Sequence, residues 1–140
     1  MSDDSKSLQP KTRVLLVDDH PIVRAGLIQL ISSEPDLEVC GEAATADEAF
    51  SIWEQQQPEL AIIDISLEGS SGIELMERIG GRSSNTKMLA LSMFDEGLYA
   101  ERALRAGASG YVRKKNAADG LIHAIREVLA DGVYLSKEAK

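Results

Sequence analysis

Five residues in this chain have side chains that could do chemistry together: Asp18 and Asp19, Asp64, Ser92 and Lys114. Asp18-Asp19, Asp64 and Ser92 stand at the ends of short apolar runs, and Lys114 comes two residues after Gly110-Tyr111-Val112. If the runs are parallel strands, their carboxyl ends share one edge of a sheet, where open α/β sheets bind ligands. Three carboxylates gathered there repel one another. A hard cation such as Mg²⁺ relieves the repulsion, because it takes oxygen ligands and keeps several waters. A carboxylate beside it can act as a nucleophile and form an acyl phosphate, with the cation screening the phosphoryl charge. Ser92 offers a hydroxyl donor and Lys114 a point charge for a phosphoryl oxygen. Taken singly, each residue reads blandly. An Asp-Asp pair after a strand is more often a turn or helix cap, and a lone Asp is more often a loop residue. Ser92 alone says little, and Lys114 alone is a solvated lysine. The chemical reading rests on finding all of them at strand ends in one fold.

The elements that must position these residues follow from the hydrophobic pattern. Arg13–Val17, Leu37–Gly41, Leu60–Ile65, Met88–Ser92 and Gly110–Val112 are short β-branched and aliphatic runs. Three are almost continuously apolar, as in parallel strands covered on both faces. The run with Glu38 at its centre suits an edge. Between the runs lie stripes at helical spacing: Val23, Leu27, Leu30, Ile31; Ala46, Ala49, Phe50, Trp53; Ile73, Met76, Ile79; Leu98, Ala103, Leu104, Ala108; and Leu121, Ile122, Ile125, Val128, Leu129. Thr45 and Glu48 form a capping box. Pro35 and Pro58 precede strands, and Gly80-Gly81, Gly107 and Gly132 follow helical runs. Five strands alternating with five helices predict an α/β fold with a parallel sheet and right-handed crossovers. Residues 1–11 read as a loose leader and 132–140 as the start of a linker.

Composition narrows the function classes. The chain has 140 residues, 44% of them hydrophobic, enough for a packed core in one domain. Its 15 Lys+Arg and 23 Asp+Glu give a net charge of −8, which argues against nucleic-acid binding by bulk charge. A single cysteine, Cys40, excludes an internal disulfide and a multi-cysteine zinc site, and the strand around it suggests a buried small hydrophobe. No apolar run approaches the roughly 20 residues that span a bilayer, and the polar start is unlike a signal peptide, so a reducing cytoplasm is expected. No glycine-rich loop follows the first strand, which argues against a nucleotide-binding enzyme. His20, followed by Pro21 at a first helical turn, reads as a cap and packing residue with proton shuttling as the alternative. His123 reads as solvated and Trp53 as core.

The segments Val14-Leu15-Leu16-Val17-Asp18-Asp19-His20, Leu60-Ala61-Ile62-Ile63-Asp64-Ile65-Ser66-Leu67, Leu89-Ala90-Leu91-Ser92 and Gly110-Tyr111-Val112-Arg113-Lys114 resemble the signatures of receiver domains of two-component response regulators, the CheY-like family. The resemblance covers about residues 12–131. Asp19-His20-Pro21 and Ala103–Tyr111 make it most similar to the NarL/FixJ group. It implies a flavodoxin-like, doubly wound (βα)5 fold with strand order 2-1-3-4-5. It also implies that Asp64 accepts a phosphoryl group from a histidine kinase with Mg²⁺ or Mn²⁺ present. By the same resemblance Asp19 ligates the metal directly, Asp18 through a water, and Asp64 and the backbone carbonyl of Ser66 complete the protein ligands. Ser92 then hydrogen-bonds the phosphoryl oxygen, Lys114 pairs with the carboxylate or phosphate, and Tyr111 is the switch aromatic that turns inward. A packed strand aromatic is the plain alternative for Tyr111. The resemblance further implies a signalling switch rather than an enzyme, possible homodimerisation on phosphorylation, and DNA contact only through a LuxR-type helix-turn-helix output domain outside this chain.

Three positions vary from the family pattern: Glu68 stands where most relatives have Pro, Lys115 where many have Pro, and Ser92 where Thr is commoner. Glu68 is expected to weaken phosphate accommodation or change metal affinity. Lys115 removes the proline that would favour a cis bond, and Ser92 makes for a looser switch. Two other function classes compete. A phosphohydrolase using an aspartyl-phosphate needs a second Asp two residues after the nucleophile, where this chain has Ser66. A pseudo-receiver acting only as an interaction module is favoured by Glu68 and opposed by the intact Asp18, Asp19, Asp64, Ser92, Lys114 set.

Overall fold

The computed structural model describes residues 10–67, 71–82, 85–93 and 97–135. The expectations placed on Glu68, on the side chain of Leu98, on residues 1–9 of the leader and on 136–140 lie outside the described residues. The chain alternates as β1 (Thr12–Val17), α1 (Pro21–Ser32), β2 (Leu37–Ala43), α2 (Ala46–Gln56), β3 (Leu60–Asp64), α3 (Gly72–Gly80), β4 (Lys87–Ser92), α4 (Gly97–Arg105), β5 (Gly110–Arg113), a 3₁₀ turn (Lys114–Asn116), α5 (Ala117–Leu129) and β6 (Tyr134–Leu135). The strands form one sheet in the order β2-β1-β3-β4-β5-β6, and all pairings are parallel.

Strand alternation explains why the central runs are apolar throughout. Val14, Leu16, Leu60, Ile62, Leu89, Leu91 and Val112 pack with Leu27 and Ile31 of α1 and with Leu121, Ala124, Ile125 and Val128 of α5. Their neighbours Leu15, Val17, Ala61, Ile63, Met88, Ala90 and Tyr111 point to the opposite face. There they meet Trp53 of α2, Leu75, Met76 and Ile79 of α3, and Ala100 and Ala103 of α4. Each fully buried Leu, Ile or Val contributes about 1.5–3 kcal/mol relative to exposure. β2 is an edge strand with Glu38 exposed, as its pattern suggests. Val14 pairs with Val39 but Leu15 with Gly41, so Cys40 is the extra residue of a bulge. The bulge leaves Cys40 half-buried rather than in the core, and burial pushes its thiol upward.

Local signals behave as read, with informative exceptions. Glu48 N–H donates to Thr45 Oγ1 at 3.2 Å, while the Glu48 carboxylate reaches back to the Ala44 N–H at 2.9 Å, one residue before the cap. Ser71 caps α3 in the same way through the Glu74 N–H, a cap not read from the sequence. α4 ends at Arg105, before Ala108 of its proposed stripe, because Gly107 turns the chain at φ 113°. The five expected strands keep their expected order, and among the described residues a sixth joins the edge: Tyr134 and Leu135, in the stretch expected to start a linker, pair with Gly110 and Tyr111. Two residues carry too little periodicity to be read as a strand; their place comes from tertiary packing. Leu135 lies against the core cluster containing Tyr111, and Tyr134 against the other.

Candidate functional site

The order of strands reverses direction between β1 and β3, and the crevice outside their carboxyl ends is where this architecture places ligands. Asp18 and Asp19 follow β1 directly, and Asp64 is the last residue of β3. Asp18 N–H extends the β1–β2 ladder to Ala43 O at 3.0 Å, and Ile65 N–H bonds Leu91 O at 2.9 Å. Both carboxylates are thereby fixed on rigid strand ends. Gly72 opens α3 directly above the chain at Asp64. A β-carbon there would lie 2.2 Å from Asp64 O and 2.6 Å from Ile65 Cα, so only glycine permits this approach.

Asp18 and Asp64 are fully buried, and Asp19 is 12% exposed. Asp64 Oδ1 accepts from the Ser66 N–H at 2.9 Å, and its Oδ2 accepts from Lys114 Nζ at 2.8 Å. Lys114 is carried to the pocket by the turn after β5, and its Nζ also lies 3.0 Å from Asp18 Oδ2. That second contact is an ion pair without hydrogen-bond alignment. Burial by itself would push the Lys114 ammonium down; its contacts with the Asp64 and Asp18 carboxylates outweigh it and hold the ammonium above its ordinary value. Asp18 Oδ1 accepts from the His20 N–H at 2.8 Å. Arg24 donates to Asp18 O at 2.6 Å while paired with Glu42 at 2.8 Å, which ties α1 to the loop.

His20 differs from its expected role. Its backbone stands at the N-cap of α1, and Pro21 opens the helix, but its side chain makes no capping bond. The ring turns to the pocket instead. Its Nδ1 is 3.1 Å from Asp18 Oδ1, 3.0 Å from Asp19 Oδ1, 3.8 Å from Asp64 Oδ2 and 3.0 Å from Lys114 Nζ. Potential ligand atoms of Asp18, Asp19, His20 and Asp64 all lie within 4.8 Å of one another. Its position directly after the Asp-Asp pair was the available signal in the sequence. A cleft of about 250 Å³ lined by His20, Val23, Met93, Lys114 and Lys115 adjoins the pocket.

Ser92 and Tyr111 are fully buried. Ser92 ends β4 opposite Arg113 of β5, and Tyr111 pairs with Ala90 on one side and Leu135 on the other. The Tyr111 ring belongs to the core under α3 and α4. Arg113 is buried, so the Arg113-Lys114-Lys115 run is not a solvated basic patch. Every described peptide bond is trans, including Lys114–Lys115. Trp53 is core as expected, and His123 is exposed beside Glu127 and Tyr134.

The model of the response regulator receiver domain family matches residues 14–126. The chain belongs to this family. Its sequence is 31% identical over 131 residues to the nitrate/nitrite response regulator protein NarL of Escherichia coli, covering 94% of this chain and 61% of that protein. It is 35% identical over 127 residues to the DNA-binding transcriptional activator DevR/DosR of Mycobacterium tuberculosis, covering 91% and 58%. This receiver therefore spans about three fifths of the length of such relatives. Among solved structures, a LuxR-family two-component response regulator from Aurantimonas sp. SI85-9A1 superposes with a TM-score of 0.88 at 36% identity, covering 92% of each chain. No described helix is long and apolar enough to cross a membrane.

Receiver domains bind Mg²⁺ at an acidic pocket, and the donor set here suits such an ion. Carboxylate oxygens are the ligands of Mg²⁺ and Mn²⁺. Asp18 Oδ2 is buried, ion-paired with Lys114 but without an aligned hydrogen bond, so it keeps lone-pair capacity toward such an ion.

Proposed function

We propose that this receiver accepts a phosphoryl group on Asp64 from the phosphohistidine of a histidine kinase and changes conformation to control an output. The observation that supports it is the convergence of Asp18, Asp19, Asp64 and Lys114 on one crevice at the sheet's switch point. In this reading one Asp64 carboxylate oxygen attacks phosphorus, the P–N bond to the kinase imidazole breaks, and the leaving imidazole takes a proton. Ser66 N–H holds Asp64 Oδ1, which fixes the plane of the attacking carboxylate. Lys114 stands beside Oδ2, where it would neutralise charge on the incoming group. Mg²⁺ or Mn²⁺, held by Asp19, Asp64 and the Ser66 carbonyl with Asp18 behind a water, would screen the phosphoryl oxygens.

Ser92 would then donate its hydroxyl to a phosphoryl oxygen, and Tyr111 would report the change along β5. A bias of about 1–3 kcal/mol is enough for such a switch. The name of the DevR/DosR relative, a DNA-binding transcriptional activator, supports transcription as the output; this reading adds a DNA-binding domain outside the chain and dimerisation on phosphorylation. Incubation with acetyl phosphate and Mg²⁺ tests the proposal by intact mass. One added phosphoryl group is expected in the native chain and none in Asp64→Asn. The absence of an adduct with every phosphodonor would favour a phosphorylation-independent interaction module.

A further inference from the structure

We infer that His20 is a nitrogen donor in the cation site, making this receiver favour borderline 3d cations over Mg²⁺ more strongly than its carboxylates alone would. The inference rests on the reading of the acidic pocket as a cation site. Its own support is the position of the His20 ring. Nδ1 lies within 3.1 Å of oxygens of both Asp18 and Asp19, and 3.8 Å from Asp64 Oδ2.

Neither neutral tautomer pairs favourably with all of these neighbours at once. With a hydrogen on Nδ1, the ring can donate to Asp18 or Asp19, but the N–H then faces the Lys114 ammonium 3.0 Å away. With Nδ1 bare, the ring can accept from Lys114, but its lone pair then faces two carboxylate oxygens at 3.0 and 3.1 Å. A cation shared by the imidazole and the carboxylates turns the second arrangement from repulsive to cohesive. A neutral imidazole is a ligand in its bare form. The buried Asp18 Oδ2 has an ion pair with Lys114 at 3.0 Å but no aligned hydrogen bond, so it keeps lone-pair capacity for a further partner.

Ring placement also makes the contribution separable. The His20 side chain is 47% exposed, at the rim, so its loss removes a donor without opening the core. Imidazole suits zinc, nickel and copper, whereas Mg²⁺ prefers oxygen. Removing His20 should therefore weaken Zn²⁺ far more than Mg²⁺.

Calorimetric titration of the untagged chain with Zn²⁺ and with Mg²⁺, for the native protein, His20→Ala, His20→Asn and Asp19→Asn, decides the matter. Zn²⁺ affinity is expected to fall by about tenfold or more in both His20 variants, while Mg²⁺ affinity changes by less than about twofold. In ¹⁵N spectra, Zn²⁺ should shift the His20 Nδ1 resonance and leave His123 unmoved. Equal losses for the two metals, an unchanged Zn²⁺ affinity, or a His20 Nδ1 that does not respond to Zn²⁺ would overturn the inference. Failure of the pocket reading looks different: native Mg²⁺ binding would then be absent or indifferent to Asp19→Asn.

Discussion

The two ends of the sheet solve opposite problems. At the amino end of β3 and β4, polar groups are matched. Trp53 Nε1–H donates to Thr86 Oγ1 at 2.8 Å, and the Thr86 hydroxyl donates to Pro58 O at 2.7 Å. Backbone bonds from Glu59 to Arg13 and from Lys87 to Glu59 close that end further. At the carboxyl end, Asp18, Asp19 and Asp64 are crowded together with one lysine ammonium reaching two of them. The same strands therefore terminate in a matched polar network at one end and, at the other, in three carboxylates that share one lysine ammonium. One end holds the fold, and the other concentrates negative charge.

That contrast can be broken most sharply at Trp53. Trp53→Ala is expected to cost about 3–5 kcal/mol in urea unfolding, the usual range for a buried tryptophan. A loss below about 1 kcal/mol would mean that the amino end does not anchor the sheet. Thr86→Val comes next. It strands the Trp53 indole N–H and the Pro58 carbonyl, so about 1–3 kcal/mol should be lost, read by the same assay.

At the carboxyl end the sign should invert. Asp19→Asn removes one of three neighbouring carboxylates and is expected to raise stability by about 1 kcal/mol in a chelator. Excess Mg²⁺ should raise the melting temperature of the native chain and not that of the variant. A destabilised Asp19→Asn would show that this end is already balanced.

The smallest effect tests a place far from both. Arg126 on α5 forks onto Asp36 at 2.6 and 2.9 Å and reaches Glu34 at 2.9 Å. The Arg126 guanidinium holds the Asp36 carboxyl below its ordinary value. The pair's contribution is thus present above the unfolded carboxylate range and lost as pH falls through the lowered value. Because Asp36 is largely exposed, Arg126→Met should cost less than about 1 kcal/mol at neutral pH, and the difference should vanish in acid.

Most of the architecture was legible because continuous apolar strands and striped helices have distinct periods. β1, β3 and β4 announced burial on both faces, and the strand ends announced where charge would collect. Physical reasons explain what was not. Tyr134-Leu135 form a strand only because β5 offers an edge, and no pattern two residues long can say so. Cys40 left the core because of a bulge, a register property invisible in composition. His20 was read as a cap from its neighbour Pro21, and the pull of three carboxylates on its ring emerges only when β1 and β3 are side by side. Gln57, which ends α2 at φ 45° where glycine would be the usual choice, holds its strained turn by bonding Trp53 O.

The bare α-carbon at position 72 has a further consequence. Because the first turn of α3 rests on the main chain of Asp64, even an added methyl would lever the helix off the end of β3. A saturation library at this codon should thus return one amino acid, under selection for folding alone and before any signal is asked of the protein.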